Sequence, residues 1–104
     1  MRNEPDWIDK IVETLAADVY ISIDVDGMDP AIMPATGTPE PGGLSWIEIT
    51  SLLRAVAERR RVVSADIVEL SPIPGMVAPS FLCAKLIYKL LTYRYATDPR
   101  ARRL

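Results

Sequence analysis

Val19-Tyr20-Ile21-Ser22-Ile23-Asp24-Val25-Asp26-Gly27-Met28-Asp29-Pro30 joins an apolar run rich in β-branched residues to a cluster of carboxylates. The run reads as a buried strand, Val19 to Asp24. In open α/β sheets, ligands bind beyond the carboxyl ends of the strands, where Asp24 and Asp26 fall. Residues two apart on an extended segment point to the same face, so these two carboxylates can converge. Like charges repel, and burial penalises the ionised form. A multivalent cation offsets both, and hard cations prefer oxygen ligands. A turn is the competing reading: Asp-Gly and Asp-Pro are turn dipeptides, and Asp29-Pro30 by itself reads as one.

On the N-terminal side, Ile8, Ile11, Val12 and Leu15 recur at helical spacing and predict a helix over 6–17. On the C-terminal side, Met28 to Gly43 is rich in Pro, Gly and Thr and reads as a long ordered loop or a linker. A loop of that length inside a compact domain usually has a task. Ser45-Trp46-Ile47-Glu48 has the form of a capping box and predicts a helix to about Arg59. Val62, Val63, Ala65, Ile67 and Val68 predict a second strand within 61–70. A second Pro-rich loop, 71–79, precedes a predicted helix over 80–94, with Pro79 suited to its first turn. Leu82, Cys83, Leu86, Ile87, Leu90 and Leu91 form the expected buried stripe of that helix, with Lys85 and Lys89 facing water. Residues 1–95 read as one unit and 96–104 as a tail without periodicity.

The order α-β-α-β-α implies two parallel strands joined through a helix. The predicted fold is a three-layer α/β/α with a parallel sheet. Parallel strands are normally covered on both faces, and two strands make a very small sheet. The chain is therefore expected to be part of a larger sheet.

Bulk composition removes several function classes. A chain of 104 residues buries roughly 60–65% of its unfolded surface, enough for a modest core. The net charge of −2 offers no electrostatic basis for nucleic-acid binding. Cys83 is the single cysteine, which excludes a disulfide framework and a Cys-based zinc site. No apolar run approaches the roughly 20 residues that span a bilayer, and residues 1–10 lack a signal-peptide pattern. A cytoplasmic location is expected. The absence of histidine removes the imidazole that commonly ligates metals and moves protons near neutral pH.

Three functional readings follow from the residues. A calcium EF-hand loop is a poor fit, because its sixth and twelfth positions, glycine and glutamate in that motif, fall on Asp29 and Ala35. A strand followed by Asp-x-Asp-Gly resembles the first motif of haloacid-dehalogenase-type phosphatases, with Asp24 as nucleophile, Asp26 as acid–base and magnesium as cofactor; Met28 stands where that pattern has threonine. A non-catalytic assembly domain or relic, self-associating through Trp46 and an exposed sheet edge, is another. Taken one at a time, Glu69 reads as a surface or cap residue, and Thr36 and Thr38 as turn residues. Trp46, Tyr88, Tyr93 and Tyr95 read as packing or interface residues. Asp66 reads as a strand-end, capping or ion-pairing carboxylate, and Cys83 as core.

The motifs together are more specific. Ser22 to Pro30, then Pro34-Ala35-Thr36-Gly37-Thr38-Pro39-Glu40-Pro41-Gly42-Gly43-Leu44, resemble the C-terminal signature of the ureohydrolases, the arginase, agmatinase and formimidoylglutamase family. Asp66-Ile67-Val68-Glu69-Leu70-Ser71-Pro72 is similar to the strand that follows in that family, and 78–93 to its last helix. The resemblance covers about residues 6–95 and is nearest to agmatinases. It implies a binuclear manganese site in which Asp24 bridges two ions and Asp26 ligates one. It implies that Glu69 pairs with a substrate guanidinium, for which a carboxylate is the natural bidentate partner, and that Thr38 lines the same pocket. The implied reaction is metal-assisted hydrolysis of a guanidino or amidino C–N bond, releasing urea and an amine. The family's remaining ligands lie in Gly-Gly-Asp-His and Asp-x-His-x-Asp segments that this sequence lacks. The resemblance thus implies half a metal site, a chain inactive alone, and a partner that is either a homo-oligomer or the missing N-terminal portion.

Overall fold

The computed structural model describes residues 2–97. The chain forms α1 (Trp7–Glu13), β1 (Asp18–Asp24), α2 (Trp46–Arg59), β2 (Arg61–Val68) and α3 (Ala78–Thr97). Helix α1 stops four residues before the predicted end at Ala17. Thr14 folds back through its amide and hydroxyl onto the Ile11 carbonyl. The Arg60 guanidinium donates to the carbonyls of Val12 and Leu15 at 3.0 and 3.2 Å. These contacts satisfy acceptors that a helix end leaves open.

Helix α2 starts where the capping box places it. The Glu48 amide donates to Ser45 Oγ at 3.1 Å and the Ser45 amide to Glu48 Oε1 at 2.9 Å. That backbone bond from Ser45 is the main reason the Glu48 carboxyl sits below its usual pKa. The box sets the start of α2, and α2 returns the chain to lay β2 beside β1.

The two strands pair in parallel, with Ser22 opposite Asp66 and Asp24 opposite Val68. A register shift falls between Val19 and Tyr20. Ile21 and Ile23 face a core built with Ile49 and Leu53 of α2 and Cys83, Leu86 and Leu90 of α3. A smaller cluster under α1 joins Val12, Val19, Val56, Ala57 and Val62. Burial lifts the Cys83 thiol above its usual pKa, which keeps it protonated and consistent with a core role.

The helices cover one face of the sheet. The other face carries Tyr20, Ser22 and Asp24 of β1, all exposed. Among the described residues the chain thus supplies two of the three layers of its fold.

Helix α3 corrects two expectations. It runs from Ala78 to Thr97, past both predicted ends, and the rest of the predicted tail lies outside the described residues. Ile87 and Leu91, assigned to the buried stripe, are 47% and 51% exposed. Apolar residues surround α3 on nearly every side, but only the Cys83-Leu86-Leu90 side meets α2 and the strands. A helix apolar all round belongs to the interior of something larger.

The long loop is ordered. The Leu44 amide donates to the Gly27 carbonyl at 2.9 Å and the Asp29 amide to the Leu44 carbonyl at 3.0 Å, a parallel bridge that closes the loop. Met28, Met33 and Ala35 are buried in the main core. Gly43 makes the closure possible, because a Cβ there would lie 2.5 Å from the Met28 carbonyl carbon and 2.8 Å from the Asp29 nitrogen. Gly43→Ala must push the two backbone segments apart. It is expected to lower stability by about 1–3 kcal/mol, the usual cost of broken buried packing, read as a lower urea midpoint at unchanged slope.

Candidate functional site

Strand β1 ends at Asp24, and Val25–Gly27 turn into one 3-10 turn. Val25 is fully buried and pins that turn to the core, while Asp24 is exposed and Asp26 half-buried. The two carboxylates are therefore not brought together by strand alternation. The Asp26 amide folds back to donate to Asp24 Oδ1 at 3.1 Å, and this bend sets their separation. The third carboxylate has a different task. Asp29 Oδ1 accepts the Ala31 amide at 2.9 Å, and the Asp29 carbonyl accepts the amides of Ile32 and Met33. Asp29 starts the turn into the loop, as its Asp-Pro pair predicts.

The loop then returns Thr38 to the strand end. Thr38 Oγ1 donates to Asp26 Oδ2 at 2.8 Å. One oxygen of each aspartate is thereby engaged, and among the described residues Asp24 Oδ2 and Asp26 Oδ1 accept no hydrogen bond. The neighbouring Thr36 hydroxyl is buried without a hydrogen-bond partner among the described residues.

Glu69 follows β2 with φ of 71°, the left-handed region that side chains other than glycine seldom occupy. This turn breaks the strand alternation that would otherwise send Glu69 to the face opposite Asp66 and Val68. Just beyond it, the Ser71 amide donates to the Ala35 carbonyl at 2.8 Å and joins the two Pro-rich loops. Such backbone strain persists where surrounding structure enforces it, and it concentrates at functional positions. Glu69→Gly removes the strain and is expected to stabilise the chain by up to about 1 kcal/mol. A lower urea midpoint would show instead that the glutamate side chain supports the fold.

Asp66 faces the open side of the sheet, where Ser22 Oγ donates to its Oδ1 at 2.7 Å across the strands. This pairing follows from the register alone, and no local pattern announces it. The same holds for Arg2, whose guanidinium donates to the Gly42 carbonyl at 2.8 Å and pairs with Glu48 at 3.1 Å, tying the N-terminus to the loop.

A pair of parallel strands, a carboxylate pair at the end of the first and a strained glutamate after the second define an α/β domain of the ligand-binding-edge type. The model of the Arginase family matches residues 2–92, and the chain belongs to that family. It is 42% identical over 94 residues to the N(1)-aminopropylagmatine ureohydrolase of Synechocystis, covering 89% of this chain and 31% of that protein. It is 40% identical over 81 residues to the agmatinase of Pyrococcus horikoshii, covering 78% of this chain and 29% of that protein. The structure of proclavaminate amidinohydrolase from Streptomyces clavuligerus superposes with a TM-score of 0.77 at 36% identity, over 88% of this chain and 31% of that one. The chain thus spans about a third of the length of the relatives it matches. The arginase-like α/β fold is as predicted, and family membership displaces the phosphatase reading of Asp24 and Asp26.

Proposed function

We propose that this chain supplies one part of a manganese-dependent ureohydrolase site, with an agmatinase-like guanidino or amidino compound as substrate. The observation that carries the reading is the Asp24–Asp26–Thr38 arrangement, with one carboxylate oxygen of each aspartate left open at a strand end. The open donors are hard oxygens and fit manganese in kind. They do not fit it in number, since no three His, Cys, Asp or Glu side chains among the described residues are grouped to hold a metal. Asp24 and Asp26 would therefore be two ligands of a set completed by residues outside this chain. When bound, the paired ions supply a nucleophile by lowering the pKa of water towards neutrality.

The remaining roles belong to side chains. Glu69, at the left-handed turn after β2, would pair with the substrate guanidinium through two charge-assisted hydrogen bonds. Thr38 lines the pocket and also holds Asp26, which leaves its hydroxyl proton committed to that carboxylate in the free chain. Water adds to the guanidinium carbon, and urea and an amine leave. A cytoplasmic location accords with this reading.

The chain alone is expected to release no urea from agmatine in the presence of manganese. Grafted in place of the matching third of the Synechocystis relative, it is expected to release urea and no phosphate from phosphate esters. A graft that folds, binds manganese and releases no urea from any guanidino compound would leave the chain as a non-catalytic assembly domain.

A further inference from the structure

The sheet face turned away from the helices carries an ionisable residue inside β2. On that face Tyr20 stands opposite Ser64, Ser22 opposite Asp66 and Asp24 opposite Val68. Aspartate is depleted in strands, and parallel strands are normally covered on both faces. Covering this face takes the Asp66 carboxylate out of water. Its Oδ1 accepts the Ser22 hydroxyl at 2.7 Å, and among the described residues its Oδ2 accepts no hydrogen bond. A buried carboxylate with a single donor is costly, so the covering layer has to bring a second one.

The position of Asp66 selects that donor. Asp24 lies two residues beyond Ser22 on the same face, which sets Asp66 diagonally behind it. A strand spacing of about 4.8 Å and a two-residue rise of about 6.6 Å place the two Cα atoms about 8 Å apart. Strand side chains stand roughly perpendicular to the sheet, so the carboxylates keep about that separation. Two oxygens on one hard cation lie at most about 5 Å apart, so Asp66 does not share an ion with Asp24. A metal-bound imidazole does reach. The metal–nitrogen bond spans about 2 Å, the ring about 2 Å and the outer hydrogen bond about 3 Å, about 7 Å in all. Ligating imidazoles regularly donate that outer N–H to a carboxylate, which fixes the ring and raises its basicity. A lysine or arginine also satisfies Asp66, but it brings a positive charge close to the proposed cation.

We infer that Asp66 is a positioning residue of the metal site, clamped by Ser22, whose second oxygen accepts the outer N–H of an imidazole that ligates the ion at Asp24. The chain has no histidine, so the ring comes from outside it. The inference rests on the reading of Asp24 as a metal ligand.

The test uses the chain grafted into the Synechocystis relative. Asp66→Ala and Asp66→Asn are each expected to weaken manganese binding about 10–100-fold, read by titration calorimetry. Ser22→Ala is expected to weaken it less than about tenfold, because the acceptor stays and only its clamp is lost. Asp18→Asn, which removes the same charge at the far end of β1, is expected to change nothing. With cobalt(II) in place of manganese, the N–H protons of coordinated imidazoles give shifted, exchangeable magnetic-resonance signals. One of these is expected to vanish in Asp66→Ala and to persist in Asp18→Asn. Unchanged manganese binding in both Asp66 variants, equal weakening by Asp18→Asn, or a complete set of N–H signals in Asp66→Ala would each overturn the inference. So would a lower melting temperature of the metal-free Asp66 variants with metal affinity intact, the mark of a purely structural ion pair. A graft that binds no manganese would remove the proposed site and this inference together. A graft that shows the Asp66 dependence and releases no urea would remove the hydrolase reading alone.

Discussion

Asp24→Asn in the grafted enzyme is expected to cut urea release by at least about 100-fold, the scale on which one pre-organised electrostatic group acts. The isolated chain carrying the same substitution is expected to unfold at the same urea concentration as the wild type. The two outcomes separate because Asp24 has two oxygens with different tasks. Oδ1 accepts the Asp26 amide and starts the 3-10 turn. Asparagine keeps that acceptor, and Asn and Asp are nearly equivalent as caps. The charge on the open oxygen is what asparagine removes. Equal losses of activity and stability would show that Asp24 is a structural cap. Full activity in the variant would sink the assignment of the metal site to this strand end.

Leu86→Ala is expected to cost about 2–5 kcal/mol, the range for deleting a fully buried leucine. Leu86 has no exposed surface and stands in the middle of the cluster formed by α2, α3 and β1. A domain of this length has about 5–15 kcal/mol of stability in all. This chain leaves one sheet face and much of α3 in water, which places it towards the low end. The variant is therefore expected to be largely unfolded by circular dichroism at 25 °C when isolated. Leu91→Ala, five residues on and half-exposed, is expected to cost well under 1 kcal/mol in the same measurement. Similar losses at the two positions would contradict the one-sided packing of α3.

Both predictions turn on which side of an element has a partner, and local sequence carries that information unevenly. The capping box at Ser45 and Glu48 is visible in four consecutive residues, because both halves of the contact lie within one helical turn. The apolar run of β1 is equally plain. The periodicity of α3 is not, since apolar residues recur on nearly all of its faces and no pattern tells Leu90 from Leu91. Met28, Met33 and Ala35 also escaped prediction as core. They stand in a Pro- and Gly-rich stretch, where backbone signals favour a loop and hide the inward side chains. Met28, Ile32 and Met33, apolar within that loop, were the one available hint.

The candidate site divides along the same line. Asp24 and Asp26 were candidates from residue type and position at a strand end, because chemistry restricts which side chains can hold a hard cation, whereas Thr38 and Glu69 became candidates only through the resemblance to the ureohydrolases. Tertiary structure alone decided what each does with its hydrogen-bonding groups. Thr38 reaches back across twelve residues to Asp26. Glu69 leaves the strand through a left-handed bend. These outcomes depend on where Gly43 lets the loop close against Met28 and on the bond between Ser71 and Ala35. Such contacts join residues far apart in the chain, and their free energies arise only when the whole layer is packed. Residue identities state what chemistry is possible, whereas the closed backbone determines which oxygens remain free to perform it.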